Sequence, residues 1–320
     1  NEGYKGHRKQ SKNVNWNNVF NTMTEFGEIL DSNGFIVSKI DKAEADDLMA
    51  LWRDELLFNQ HQHVVFLSSD EDIRQLAAFF PYKRNEMVFS TIFNPIASRK
   101  TKKLFVPNHF NEWLDDGGFG NIFDRGIDMD KESFNRLINT DNIEVEEIKG
   151  DEIALKKIFC GDDGDNVPSI YSWIAKDKQG DAIIDKKTGE PKIVRVTKSK
   201  YQKIIEHIGA SDYLDLPGKE ELIAEQLESF SGEKPPFSVT NRLRRQIKLV
   251  VLAASEFPEE IVEEFTTTVQ KELDKPQIQP QNCNMNSILE GTRYVRTSNM
   301  KKNSEASIFK EIDTINKRLF

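Results

Sequence analysis

The chain has 320 residues, 38% of them apolar, which is enough for one large or two modest globular domains with a sizeable core. It holds no run of about 18 apolar residues and no charged-then-apolar leader, so the expectation is a soluble, cytoplasmic protein with no membrane span. Its two cysteines, Cys160 and Cys283, lie far apart with no CxxC partner, which argues against a zinc site and fits a reducing compartment. A net charge of −9 speaks against a broad phosphate footprint. Basic residues nevertheless cluster at 4–9, 98–103, 186–203 and 241–245, which leaves a local basic face open beside the plainer reading of solvated surface.

Taken in chain order, Val14, Trp16, Val19, Phe20, Met23, Phe26, Ile29 and Leu30 recur at helical spacing and predict a helix over 14–31, stopped at Asn33-Gly34. Residues 35–40 read as a short strand, 43–52 as a helix, and 63–69 as a buried strand. A further helix is expected over 73–80 and a strand over 87–90. This alternation predicts a parallel sheet covered by helices, with a ligand crevice outside the carboxyl ends of the strands.

Three acidic blocks stand out against that frame: Glu44-Ala45-Asp46-Asp47, Asp70-Glu71-Asp72 and Asp162-Asp163-Gly164-Asp165-Asn166. The first two follow predicted strands, at the crevice edge. Glu44 and Asp47 are i and i+3 on a helix, hence neighbours on one face. Converging carboxylates repel unless a divalent cation neutralises them, and an oxygen-only ligand set suits Mg²⁺ or Mn²⁺. Either of the first two blocks alone also reads as an acidic turn complementing a helix dipole. The blocks lack the Asp-x-Asp-x-Asp-Gly loop with its terminal Glu that a calcium module would carry.

Residues 40–47, 68–72 and 161–168, preceded by Tyr4-Lys5-Gly6-His7-Arg8, resemble the ordered motifs of the structure-specific 5′ nucleases, the family of flap endonucleases and 5′-3′ exonucleases. Their flavour is nearest to the ribonuclease H of T-even phages. The resemblance implies an α/β, parallel-sheet (PIN-like or resolvase-like) core with a helical C-terminal domain containing a modified helix-three-turn-helix. It implies two Mg²⁺ ions, with Mn²⁺ as a substitute. Glu44, Asp46, Asp70 and Asp72 would serve the ion that activates water, Asp162 and Asp165 the second ion, and Asp47 would support the cluster. Lys5 and Arg8 would meet the scissile phosphate from a helical arch. Tyr4 would stack on the end base, or simply pack.

Two departures accompany these matches. The family's first two strands, each with a metal-binding Asp, have no counterpart ahead of Tyr4, which implies a fragment, a split nuclease completed by a separate N-terminal polypeptide, or a non-catalytic DNA-binding subunit. After Pro168 a hairpin insertion replaces the usual glycine-rich turn and puts the family's K⁺ site in question. The second helix of the motif is expected to begin at Thr197 as N-cap, with Lys198 and Lys200 toward duplex phosphates.

The expected organisation is a nuclease core over 1–158 with its arch segment at 1–13, a helical DNA-binding domain over 159–275, and a linker and C-terminal helix over 276–320. In the helix expected over 241–254, Leu243, Ile247, Val250 and Val251 pack while Arg242, Arg244, Arg245 and Lys248 face outward. The acids of 107–150 read as solvated loop. The terminal Leu319-Phe320 either packs on the body or meets a sliding clamp or single-strand-binding protein. The function implied is Mg²⁺-dependent 5′ nuclease action on DNA flaps or RNA–DNA hybrids at phage replication forks, in the cytoplasm of an infected cell.

Overall fold

The structure, a computed structural model, describes residues 15–32, 35–82, 86–96, 102–115, 139 and 142–273. Tyr4, Lys5, Arg8, the 276–282 linker and the 308–320 helix lie outside the described residues.

The first helix, α1 (Trp16–Ser32), follows its apolar spacing. Residues 35–40 do not form the expected strand. Among the described residues they have no ladder partner, and Trp52 holds them by donating from Nε1 to Ser38 Oγ at 2.6 Å. Helix α2 (Ala45–Asp54) begins at Glu44, whose amide donates to Asp47 Oδ2 at 2.9 Å. A carboxylate three residues into a helix thereby closes the N-terminus, as a capping box does.

Among the described residues strand β1 (Val64–Leu67) is at the sheet edge rather than buried on both faces. Val64 and Phe66 point inward, whereas Val65 is 61% exposed. The helix expected over 73–80 is replaced by a 3₁₀ turn, Asp72–Leu76, and strand β2 (Ala78–Tyr82). The aromatic pair Phe79-Phe80 prefers a pleated surface, and β2 finds one in antiparallel pairing with β3 (Glu86–Asn94). Strands β4 (Lys102–Pro107) and β5 (Ile143–Ile148) complete the order β1-β3-β4-β5, with β2 beside the first half of β3. β1 with β3 and β4 with β5 are parallel pairs, and the pairings of β3 with β2 and β4 are antiparallel.

The acid-rich 107–150 stretch is not all loop. It carries the helix α3 (Phe110–Asp115) and β5, whose Glu144 and Glu146 reach Lys103 at 3.6 and 2.9 Å and withdraw that lysine from the 98–103 basic cluster.

Beyond the sheet, α4 (Gly150–Cys160), α5 (Lys198–Ile208), α6 (Glu220–Ser231) and α7 (Val239–Val250) enclose a second core around Phe159, Ile170, Ile204, Leu216 and Leu227. The expected hairpin is present as β6 (Ser172–Ile174) and β7 (Ile193–Arg195), extended by bridges between Lys176 and Ala182 and between Ile184 and Pro191. The helix α8 (Glu259–Leu273) returns to α2, placing Ile261, Phe265 and Val269 against Ile40 and Leu51. Trp52 meets Phe265 edge-on at 5.2 Å.

Gly150 joins the two cores. A Cβ there would lie 2.4 Å from Gln75 O and 3.2 Å from Ala77 O, so only glycine lets α4 start against the 72–76 turn. Gly150→Ala is expected to cost about 1–3 kcal/mol, because backbone has to move to make room. Urea denaturation checks this, and an unchanged midpoint would mean that the two segments are not in such contact.

Burial pushes the Tyr201 phenol up to about 12. A raised folded-state pKa contributes stability that is full below the ordinary value near 10 and is lost as pH rises toward 12. Tyr201→Phe should therefore flatten stability against pH in the 10 to 12 window of a denaturation series.

Candidate metal centre

The three acidic blocks reach one place by three local devices. The first block forms the entry turn of α2, where Glu44 and Asp47 are set by the cap described above. In the second block, Asp70 Oδ1 accepts the Asp72 amide at 3.0 Å, and Ser68 Oγ accepts the Asp70 amide at 3.1 Å, which fixes the step from β1 into the 3₁₀ turn. The third block follows α4. Gly161, with φ +76°, ends that helix, and Asp162 and Val167 exchange two backbone hydrogen bonds of 2.8 Å that close the acidic loop.

Glu44, Asp46, Asp47, Asp72, Asp162 and Asp165 line a single cavity of about 270 Å³, with Lys42, Lys157 and Lys248 as its cations. Carboxylate oxygens of Asp72, Asp162 and Asp165 all lie within 4.8 Å of one another. Asp70 is exposed beside this group and does not line the cavity; it acts on Asp72 through its charge and through the turn.

Lys157, one turn before the end of α4, is the residue the sequence reading did not single out. Its Nζ donates to Asp162 Oδ2 at 2.6 Å and to Asp72 Oδ1, and its side chain is only 15% exposed. Burial and the charges of Asp70 and Asp162 hold the Asp72 carboxyl above its ordinary pKa despite the Lys157 ammonium. Burial also acts to raise Asp162, but its bonds to Lys157 and to the Gly164 and Asp165 amides outweigh that and hold it below. Burial disfavours the Lys157 ammonium, and its two carboxylate partners more than offset the penalty, so its pKa is raised. A lysine five residues ahead of a metal-type Asp, on the same helix end, was the available signal.

The donor set fits a hard divalent cation. Its members are carboxylates, and oxygens at these separations can close on one ion whose bonds are about 2.1 Å, with neighbouring ligand oxygens about 3 Å apart. Two of those oxygens now serve Lys157 and one, Asp162 Oδ1, accepts the Gly164 amide at 2.8 Å.

Two solved structures are similar to most of the chain at low identity. One solved structure is of a bacteriophage T5 protein co-crystallised with metal ions, at 17% identity and TM-score 0.41, covering 85% of this chain and 78% of the other. A second, described as a T5 flap endonuclease variant in a pseudo-enzyme–product complex with DNA and metal ions, aligns at 18% identity and TM-score 0.44, covering 86% and 78%. No protein-family profile and no curated protein sequence matches the chain.

The nucleic-acid candidates are elsewhere. Thr197 is the N-cap of α5, but its hydroxyl pairs with Ser199 Oγ at 3.1 Å rather than capping the helix. Lys198 is exposed, whereas Lys200 sets its Nζ 5.2 Å from the centre of the Trp173 ring. Asp163 is held by Arg195 in a two-bond pair of 2.5 and 2.7 Å that ties the acidic loop to β7. Arg242, expected to face outward, is half-buried over the Phe237 ring at 5.6 Å.

Proposed function

We propose that this protein is a Mg²⁺-dependent 5′ nuclease that removes RNA primers and short flaps during phage DNA replication, leaving a 5′ phosphate. The observation that carries the reading is the convergence of three acidic blocks, separated by up to a hundred and twenty residues, on one cavity with Asp72, Asp162 and Asp165 at its centre. The order of the motifs in the sequence and the alignment of the fold with a flap endonuclease are in keeping with it.

Two cations held there would ionise an attacking water and neutralise the leaving oxygen. The chain's own residues would do the rest. Asp72, Asp162 and Asp165 would supply the central ligands, Glu44, Asp46 and Asp47 line the same cavity, and Asp70 steadies the Asp72 turn. Lys5 and Arg8 are assigned to the scissile phosphate, and Thr197, Lys198 and Lys200 to the duplex. Flap DNA or an RNA–DNA hybrid is the proposed substrate. A clamp or single-strand-binding protein is the proposed partner.

A second reading is favoured by one observation. The Lys157 ammonium already neutralises Asp72 and Asp162, as it would in a non-catalytic DNA-binding subunit that keeps the fold. Incubating the chain with a 5′-labelled flap and an RNA-primed duplex in Mg²⁺ separates the two. Release of short 5′ products supports the nuclease, and duplex binding with no product supports the second reading.

A further inference from the structure

A cavity of about 510 Å³ opens between Tyr171 and the first turns of α7, lined by Phe237, Ser238, Asn241, Arg242 and Arg245 among others. Among the described residues no carboxylate lines it. In a chain of net charge −9, with acids around the nuclease cavity, two adjacent guanidiniums without a counter-ion call for a reason. Among the described residues neither arginine forms an ion pair. Arg245 is exposed and Arg242 gives only a 3.4 Å contact from a terminal nitrogen to Ser169 O, while its Nε is buried with no hydrogen-bond partner. The Arg245 charge also works with burial to press the Arg242 pKa down. Such a pair is relieved by an anion, and a guanidinium fork matches phosphate oxygens.

The place of this cavity in the fold identifies the anion. Two chain segments run side by side from the acidic cavity to the basic one. Val167 lines the first and Ile170 to Ser172 the second; Lys248 to Val250 of α7 line the first and Asn241, Arg242 and Arg245 the second. Gln246, buried between them, donates to Pro168 O and ties the segments together. From Arg242 and Arg245 to Lys248 the helix advances about 9 and about 4.5 Å at 1.5 Å per residue. A DNA strand advances about 3.4 Å per base, so the arginine pair lies about one to three base steps from the edge of the acidic cavity.

We propose that the Arg242–Arg245 pocket binds a backbone phosphate of the nucleic acid whose cut strand enters the acidic cavity, about one to three nucleotides from its edge. This rests on the nuclease reading for its register, but not for its chemistry. The pocket supplies the positive field that the acidic cavity lacks, and Phe237 and Tyr171 wall the phosphate without reading a base.

The test is equilibrium binding of a fluorescent DNA duplex, by anisotropy in Ca²⁺ over a series of salt concentrations, for the unaltered chain, Arg245→Gln and Arg245→Lys. Arg245→Gln is expected to weaken binding about fivefold at 0.15 M salt, whatever the duplex sequence, and to lower the salt slope by about 0.9, the value of one released counter-ion contact. Arg245→Lys should recover part of the loss. Cleavage of a labelled flap by the unaltered chain in Mg²⁺ is followed separately, so a failed nuclease reading shows there and leaves this binding comparison intact. The proposal is overturned if Arg245→Gln keeps the affinity and slope of the unaltered chain, or if the unaltered chain binds no duplex. Because Arg245 is exposed, a matching melting temperature for Arg245→Gln shows that the loss is not one of folding.

Discussion

Lys157→Met is expected to destabilise the metal-free protein by about 1–3 kcal/mol and, at the same time, to tighten its hold on Mn²⁺ by roughly 10- to 100-fold. The two effects have one cause. Lys157 is the counter-ion of Asp72 and Asp162, and its removal leaves partly buried carboxylates facing each other with nothing between them. Breaking a fully buried pair costs about 3–5 kcal/mol, and the smaller figure allows for the screening that carboxylates about a quarter exposed still receive. A divalent ion competes with that ammonium for the same oxygens, so the variant gives the ion an unopposed site. Urea denaturation in EDTA and in Mg²⁺ reads the first effect: the variant should unfold earlier in EDTA and regain most of the deficit in Mg²⁺. If Mg²⁺ stabilises the variant no more than the unaltered chain, Lys157 and the metal do not share the site.

Asp162→Asn is expected to lower Mg²⁺-dependent cleavage by at least about a hundredfold, roughly 2.7 kcal/mol of transition-state stabilisation. Asp162 is the hub of the cavity, since one of its oxygens accepts from Lys157 and the other from the Gly164 amide, while it lies within ligand distance of Asp72 and Asp165. Asparagine keeps the shape and the amide contact but removes the charge. Single-turnover cleavage of a labelled flap, with melting followed in parallel, separates a lost ligand from a lost fold. A variant that cuts at the original rate would remove Asp162 from the mechanism.

The sequence made the outline of the centre legible because each acidic block sits at a boundary between elements, and boundaries are marked locally. Glu44 precedes an alanine-containing helix, Asp70 follows a Val-Val-Phe-Leu run, and Asp162 follows a glycine that ends α4. What local pattern could not carry is pairing. Residues 35–40 are rich in aromatic and β-branched side chains as a strand is, yet a strand exists only against a partner, and here the contact is with the Trp52 indole. Ile73 to Phe80 has apolar residues at a spacing that suits a helix as well as a turn and strand, and the decision comes from β3, which supplies the ladder for Ala78 to Tyr82. Lys157 was hidden for a similar reason. On sequence it belongs to an amphipathic helix with Lys156 beside it, and only the close approach of Gly150 to the 72–76 turn brings Asp72 to it from 85 residues away. Arg242 and Arg245 were visible as a charge cluster, but the pocket in which they lie depends on Phe237 and Tyr171 from other segments.

The most direct test of the central claim is a calorimetric titration of Mn²⁺ into the chain and into Asp72→Asn. Saturable binding by the unaltered chain that weakens at least tenfold in Asp72→Asn is the predicted result, because Asp72 supplies one of the three carboxylates of the cluster. Binding that is absent from the unaltered chain, or the same in both proteins, would contradict a metal centre built on Asp72, Asp162 and Asp165.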